Sequence, residues 1–301
     1  MTVITPEGAA ALDPAYLATW IGREQVATDL VTADLLAKYR ATFDMPAGAG
    51  VLSGASPDTP GEQVPRLLHF CLTPAIVPMS GIGADGHPAR GSFLPPVPLP
   101  RRMWAGGSLR FEGDLAVGDR VERRSRIVDV TVKAGRSGTL CFVKVEHDLS
   151  VAGARRVHER QDIVYRGLET GAGAGAAAKK DVVAAPFGDC HERVTPDPVL
   201  LFRYSALTFN GHRIHYDRRY VIEEEGYPGL IVHGPLQAAL LFNLAAKIAG
   251  RPPVAFDFRS LSPLFDTEEF LLHARCDGNR IHLWTARDGG PAAMQAEAQI
   301  A

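Results

Sequence analysis

A cluster of ionisable and amide side chains lies in one short segment of this 301-residue chain. Asn210, His212, His215 and Asp217 fall within eight residues. Histidine has the ordinary pKa that suits proton transfer at neutral pH, and an amide can both donate a hydrogen bond to a water and accept one from it. The segment therefore predicts a site that activates and orients water. His215 is the candidate base, His212 is an alternative base, and Asp217 is a group that could orient His215.

A buried helix is predicted shortly after this segment. Gly234 and Pro235 form a start signal, because proline fits the first turn of a helix, and from Leu236 to Ala249 only three side chains are polar. Backbone N–H groups at a helix start carry partial positive charge, and Gly234 has no side chain to keep a ligand oxygen away. The helix start could therefore stabilise an enolate oxygen as it develops on a thioester. The alternative is that His233, Gly234 and Pro235 only begin a core helix.

The stretch from Arg203 to Lys247 resembles the active-site segment of MaoC-like, hydratase 2 type enzymes. The resemblance is strongest to their double hot-dog members, on the phrase L-T-F-N-G-H-R-I-H-Y-D. Aligning the family motif Gly-Asp-x-Asn-Pro-Leu-His places its histidine on His215 and its catalytic aspartate on Asn210. We therefore predict Asn210, His215 and Gly234 as catalytic residues. His233 and Pro235 are predicted to contact the substrate, with His233 chiefly shaping the turn before the helix.

The replacement of the family aspartate by Asn210 changes the expected chemistry. An amide does not exchange protons usefully, so it cannot serve as an acid or a base. It can fix the position of a water through hydrogen bonds. We therefore expect His215 to move both protons of the reaction in turn while Asn210 orients the water.

A proline-rich stretch, residues 73–102, predicts a lid-like loop that ends in P-L-P-R-R-M-W-A-G-G. Arg101 and Arg102, close to Trp104, can bind a phosphate or a carboxylate through charge-assisted hydrogen bonds. The family has a similar phrase, which implies that all three side chains bind substrate. The residues alone leave open a solvated arginine pair at the start of a strand.

Two sets of predicted strands flank a Gly/Ala-rich segment. Each set is predicted to be a four-strand antiparallel meander around a helix, which is the short apolar segment Val64–Leu72 in the first half and the helix after Gly234 in the second. His69, within the first segment, is interpreted as a core residue. The predicted strands are Leu109–Glu112, Arg120–Val132, Gly138–Ser150 and Arg155–Tyr165, then Val254–Leu261, Glu268–Cys276, Arg280–Arg287 and Ala292–Ile300.

The repeated plan predicts an α+β double hot-dog fold with two central helices, each wrapped by an antiparallel sheet. The predicted domains are an N-terminal hot-dog, residues 1–166, a linker, residues 167–180, and a catalytic C-terminal hot-dog, residues 181–301. The first half lacks a counterpart of the Asn210 and His215 motif. It is therefore expected to form the acyl pocket.

The composition excludes several functional classes. Net charge is −2, with 46% apolar and 22% charged residues, and no basic stripe suggests nucleic acid or a membrane surface. The four cysteines form no CxxC pair, which is typical of a reduced cytoplasmic protein. No apolar run is long enough to cross a bilayer. A cytoplasmic enzyme is expected.

The resemblance implies a hydro-lyase that needs neither cofactor nor metal. Such an enzyme is an enoyl-CoA hydratase or a 3-hydroxyacyl-thioester dehydratase, with mesaconyl- or 3-methylfumaryl-CoA among the implied substrates. Its partners would be an acyl-CoA or an acyl carrier protein thioester, and its assembly a homodimer. A hot-dog thioesterase and a non-catalytic acyl-CoA-binding module are the alternatives.

Overall fold

A computed structural model describes residues 12–45, 61–135, 138–167 and 183–301 of the chain. The helices are α1 (Pro14–Ala18), α2 (Ala33–Thr42), α3 (Pro198–Leu207), α4 (Arg218–Glu223) and α5 (Gly234–Ala249), with 3-10 helices at Arg66–Cys71, Met79–Gly81 and Arg213–His215. The strands are β1 (Glu24–Leu30), β2 (Arg101–Phe111), β3 (Arg120–Gly135), β4 (Gly138–Val151), β5 (Ala154–Arg166), β6 (Cys190–Val194), β7 (Ala255–Ser260), β8 (Phe270–Asp277), β9 (Arg280–Ala286) and β10 (Ala292–Gln299).

The strands of the described residues form one antiparallel sheet in the order β1-β3-β4-β5-β2-β7-β10-β9-β8-β6. The order is a palindrome in which β1 to β5 of the first half correspond to β6 to β10 of the second. The two halves meet where β2 pairs with β7. This doubled arrangement agrees with the double hot-dog fold predicted from the sequence.

Strands are present at all eight predicted positions, but the first of them, β2, differs from the prediction in two details. It begins at Arg101, not Leu109, because the glycines at 106 and 107 hide the strand pattern in the sequence. It also pairs with β5 and not with β3, so the predicted four-strand meander is wrong at this strand. In the first half β3, β4 and β5 follow one another as a meander. In the second half β8, β9 and β10 do so, and β7 pairs with β10 instead of β8, so the second predicted four-strand meander is wrong at β7.

Helix α5 is the central helix of the second half. Its 16 residues include buried leucines, alanines and Phe242 on several faces, which is the pattern of a helix enclosed by protein. It packs against β7, β8, β9 and β10. The helix ends at Gly250, whose φ of 67° lies in the left-handed region that glycine adopts without strain.

The corresponding segment of the first half is much shorter. Val64–Leu72 contains only a six-residue 3-10 helix, Arg66–Cys71, which begins directly after Pro65. It packs against α5 and shares one hydrophobic core with it. The predicted central helix of this half is thus reduced to two turns at 3.0 residues per turn.

The predicted linker, residues 167–180, lies outside the described residues except for Gly167. Within the described part of the chain, no helix combines the length and apolar character that a bilayer crossing requires.

We predict that the junction of the two halves tolerates no side chain at Gly106. A Cβ there would lie 2.5 Å from the carbonyl oxygen of Phe258 in the facing strand. Gly106→Ala should destabilise the protein by about 1–3 kcal/mol, as overpacking commonly does. Gly167→Ala is the matched control, because a Cβ there meets nothing within 4 Å. Thermal unfolding of both variants tests this, and equal melting temperatures would contradict it.

Candidate active site

The imidazole of His215 is buried at the end of the 3-10 helix Arg213–His215. Its Nδ1 lies 2.7 Å from the carbonyl oxygen of Ile231. Because a carbonyl only accepts, Nδ1 must carry the proton and Nε2 the lone pair. Burial lowers the pKa of His215 to about 4, although the hydrogen bond to Ile231 opposes this shift. At neutral pH the side chain is therefore a neutral base.

His233 supports the ring of His215. The two imidazoles stack with centroids 3.6 Å apart and planes at 18°. The Nε2 atom of His233 lies 2.8 Å from Oγ of Ser205, and burial lowers the pKa of His233 well below its usual value. A neutral ring is thus held flat against His215 directly before the start of α5, a stronger role than the turn shaping expected from the sequence.

Asn210 is held in a tight turn. Its Oδ1 accepts a hydrogen bond from the backbone N–H of His212 at 3.0 Å, and its own N–H donates to the carbonyl of Ser205 at 2.8 Å. Phe209, directly before it, has φ 52° in the left-handed region. The side-chain oxygen of Asn210 therefore stabilises the turn, while its NH2 group remains available to donate a hydrogen bond.

Gly234 begins α5 against Trp104 from the first half. A Cβ at position 234 would lie 2.9 Å from Cε3 of Trp104. Trp104 lies at a β-bulge in β2 and also packs on Phe258, with ring centroids 4.6 Å apart. The N-cap residue, His233, makes no side-chain cap, so its imidazole does not accept from the first N–H groups of the helix. Glycine is required here by close approach to the indole.

Asp217 does not orient His215. Its Oδ2 accepts from Nε and Nη2 of Arg213 at 3.0 and 2.8 Å, and its Oδ1 accepts from the backbone N–H of Tyr220 at the start of α4. The expectation that it could orient His215 is therefore wrong. The carbonyl of Ile231 holds the His215 ring instead.

The two predicted arginines differ in their surroundings. Arg101 donates from Nε to Oε2 of Glu225 at 3.2 Å and from Nη2 to the carbonyl of the same residue at 2.6 Å. Arg102 has its positive charge near His87 and His212, where it contributes to lowering the pKa of each, although burial is the larger cause for both. Arg102 is therefore near enough to His87 and His212 to influence their pKa values, whereas Arg101 is paired with Glu225.

The proline-rich loop brings an unpredicted pair to the same place. The carbonyl of Asp85 accepts from the backbone N–H of Arg213 at 2.9 Å, and the carboxylate of Asp85 lies 3.1 Å from Nδ1 of His87. The His87 ring lies 3.9 Å from that of His212. Asp85, His87 and His212 each have an oxygen or nitrogen atom of the kind that binds metal ions, and these atoms lie within 4.8 Å of one another. No motif in the sequence signals them, because residues 85 and 212 meet only in the fold.

A cavity of about 140 Å³ extends from the predicted site into the first half. Trp104, Asn210 and Pro235, all predicted from the sequence, form part of its wall. Polar side chains of β3 and β5 form another part. The cavity therefore joins the segment that contains Asn210 to the sheet of the first half.

We predict that the buried histidines make the fold sensitive to acid. The pKa of His215 is lowered to about 4, against about 6.5 in an unfolded chain. Between these values the unfolded state binds the extra proton, so stability falls as pH falls from 6.5 to 4, by roughly 3 kcal/mol for this group. Urea unfolding at pH 7, 6 and 5 should show a smaller pH dependence for His215→Gln than for the natural protein. Substitution of the exposed His191 is the control, and equal slopes for His215→Gln and the natural protein would contradict the assignment.

Comparisons with known proteins show what the whole chain resembles. Residues 67–266 match the family model of hydroxyacyl-thioester dehydratase type 2. A mesaconyl-C(4)-CoA hydratase from Chloroflexus aurantiacus is 46% identical over 283 residues, which cover 93% of this chain and 96% of that protein. A mitochondrial hydroxyacyl-thioester dehydratase type 2 from Schizosaccharomyces pombe is 26% identical, with 77% of this chain and 84% of that protein covered.

A solved structure supports the fold. A Mycobacterium tuberculosis protein with a double hot-dog fold superposes with a TM-score of 0.56 and 13% identity, covering 93% of this chain and 96% of that one. At this identity the likeness concerns the fold alone. It confirms the double hot-dog architecture predicted from the sequence.

Proposed function

The chain belongs to the hydroxyacyl-thioester dehydratase type 2 family and is a hydro-lyase of acyl thioesters, and we propose that it hydrates a short, branched, dicarboxylic enoyl-CoA of the mesaconyl type. The similarity to a mesaconyl-C(4)-CoA hydratase over nearly the whole chain supports this substrate class. The observation that carries the proposal is the neutral His215, which stacks on His233 and lies five residues from Asn210 in the wall of a cavity that reaches into the first half.

The size of the cavity favours a short acyl group. Its volume is about 140 Å³, and an apolar cavity of about 150 Å³ is known to accept benzene, which has six carbon atoms. A mesaconyl group has five carbons, one of which belongs to its carboxylate, and is of this order of size. A long fatty acyl chain would need the cavity to extend.

The proposed reaction begins with water held at Nε2 of His215. The water oxygen forms a bond to the β-carbon while one of its protons moves to Nε2. The π electrons shift towards the thioester carbonyl and produce an enolate. The imidazolium then returns the proton to the α-carbon, so His215 ends in its starting state and one water has been added.

The start of α5 is the proposed site of enolate stabilisation. The N–H of Gly234 carries part of the positive charge of the helix terminus, and His233 provides no side-chain cap that would compete for it. Fixed donors in a buried site stabilise developing negative charge more strongly than water does, because they need not reorient. Gly234 thus supports the transition state without taking part in proton transfer.

Asn210 is proposed to hold the reacting water through its NH2 group. Its oxygen is engaged with the N–H of His212, so the amide donates to the water oxygen and leaves the water proton directed to His215. This refines the expectation that Asn210 both donates and accepts. The amide cannot replace the family aspartate as an acid, which leaves the proton transfers to His215.

The first half is proposed to bind the rest of the substrate. Trp104 forms the cavity wall, and Arg102 is the better candidate for a CoA phosphate because Arg101 is paired with Glu225. His233 and Pro235 shape the entrance to the helix terminus. The four free cysteines suit a reducing cytoplasm. A homodimer stays a prediction from the sequence.

We predict that His215→Ala lowers kcat by at least about 10²-fold, the usual scale for loss of a general acid–base group. KM should change little, because the imidazole contacts the reacting water and not the CoA. Steady-state hydration of mesaconyl-CoA measures this, with His191→Ala as the control at natural activity. Near-natural turnover of His215→Ala together with an inactive His212→Ala would identify His212 as the base.

We predict that Asn210→Ala costs more activity than Asn210→Asp. Alanine removes the donor to the water and the acceptor for the His212 N–H, which should lower kcat/KM by about one to two powers of ten. Aspartate keeps the acceptor, and its negative charge should raise the pKa of the neighbouring imidazoles and move the acidic limb of the pH–rate profile upward. Profiles of kcat/KM against pH for the three proteins test this. Equal rates for Asn210→Ala and the natural protein would remove Asn210 from the mechanism.

A further inference from the structure

A row of buried polar side chains crosses the sheet of the first half, where a hot-dog core is usually apolar. Ser125 on β3, His147 on β4 and Glu159 on β5 lie directly opposite one another. Each is less than 7% exposed, at 4%, 6% and 3%. The Nδ1 atom of His147 lies 2.7 Å from Oγ of Ser125. The proposed mechanism uses none of these groups, although Glu159 lines the same cavity as Asn210.

Both oxygens of the Glu159 carboxylate face groups of the first half. Nδ1 of His69 donates to the carbonyl of Arg66 at 2.7 Å, and its Nε2 lies 3.4 Å from Oε2 of Glu159. The other oxygen, Oε1, accepts from Gln161 at 2.7 Å. Burial would raise the pKa of Glu159, but the interactions with His69, His147 and Gln161 outweigh it and lower the value to about 2. The carboxylate is therefore ionised at neutral pH and already engaged by its neighbours.

Arg123 lacks such a partner. It lies on the inward face of β3, two residues from Ser125, and donates from Nη2 to the carbonyl of Thr73 at 2.6 Å. Its buried Nε has no hydrogen-bond acceptor among the described residues. No carboxylate in that part of the chain lies within 4 Å of its guanidinium. Its electrostatic neighbours, Glu159 and Asp29, already accept hydrogen bonds from other groups.

The side chains near Arg123 are already engaged or uncharged. Burial lowers the pKa of His147 to about 4, so this ring is neutral at pH 7. The oxygens of Glu159 face His69 and Gln161. Arg123 is therefore a cation of the cavity wall without a hydrogen-bonded carboxylate among the described residues, and its unmade hydrogen bond at Nε favours an anionic guest.

Tyr204 supplies a second donor in the cavity wall, beside His233. Its ring lies 5.0 Å from that of His233, and the residue lines the cavity together with Arg123. Its hydroxyl is buried without a hydrogen-bond partner among the described residues. Burial raises the pKa of Tyr204 well above its usual value, so the hydroxyl keeps its proton and can donate.

We propose that Arg123, assisted by the hydroxyl of Tyr204, binds the distal carboxylate of the acyl group and thereby selects dicarboxylic enoyl thioesters. The assignment rests on the proposed function. In a mesaconyl-type group the carboxylate is attached to the carbon that receives water. Anchoring it deep in the cavity fixes that carbon relative to His215, while the thioester carbonyl reaches the start of α5. The first half thus determines which acyl group is hydrated.

The test compares two substrates that differ in this carboxylate. Mesaconyl-C(4)-CoA carries it, and crotonyl-CoA is an enoyl thioester without it. Arg123→Gln should lower kcat/KM for mesaconyl-C(4)-CoA by about 10²-fold, chiefly through KM, because a hydrogen-bonded charge is lost. For crotonyl-CoA the same variant should lose less than about threefold. Tyr204→Phe should show the same preference with a smaller loss on the dicarboxylic substrate.

A matched control lies beside the test residue. Arg124 follows on the same strand but faces outward, with its side chain 54% exposed and paired with Glu24, so Arg124→Gln should leave both substrates unaffected. If Arg123→Gln does not fold, Arg123→Lys, which keeps the charge but not the planar fork, should lose about tenfold on mesaconyl-C(4)-CoA only.

Two results would overturn the assignment. One is an equal loss on both substrates with Arg123→Gln or Arg123→Lys, which would make the residue structural. The other is an unchanged KM for mesaconyl-C(4)-CoA, which would place the carboxylate elsewhere. Failure of the proposed function is distinguishable, because the natural protein would then hydrate crotonyl-CoA as well as or better than mesaconyl-C(4)-CoA, or neither of them.

Discussion

The hydrogen bond from Nδ1 of His215 to the carbonyl of Ile231 is the interaction on which the site depends. The backbone of Ile231 is itself held next to the histidine segment, because its N–H donates to the carbonyl of Ile214 at 3.0 Å. This pair of bonds joins the histidine segment to the strand-like residues that lead into α5, where Val232 is also bonded to Leu264. One carbonyl thus sets the tautomer of the base and its position relative to the start of the helix.

The burial that makes His215 a neutral base has a structural cost. Histidine rings at 212, 215 and 233 are all removed from water, and each would have to gain a proton in the unfolded chain as the pH falls. Stacking and hydrogen bonds to Ser205 and Ile231 keep the rings in place without charge. The low pKa of His215, on which its proposed role as a base depends, and the predicted acid sensitivity of the fold therefore have the same origin.

The central segments of the two halves differ in length. In the second half the 16-residue α5 packs against β7 to β10 and begins directly after His233, which stacks on His215. In the first half the corresponding segment contains a six-residue 3-10 helix. Arg123, Glu159 and His69 lie in the wall of the cavity. These polar side chains suit the charged acyl group proposed above.

The sequence by itself determined the local features of this protein. Alternating apolar residues predicted the strands, the apolar run after Pro235 predicted α5, and the familiar phrase around Asn210 and His215 predicted the family. Those signals are local because period and capping act over a few residues. Only the tertiary structure decided that β2 pairs with β5 and β7 and that Asp217 forms an ion pair with Arg213. It also decided that Arg123, His69 and Glu159 meet at one cavity. These contacts join residues far apart in the chain, and their partners are chosen by packing and burial, which no short stretch of sequence encodes.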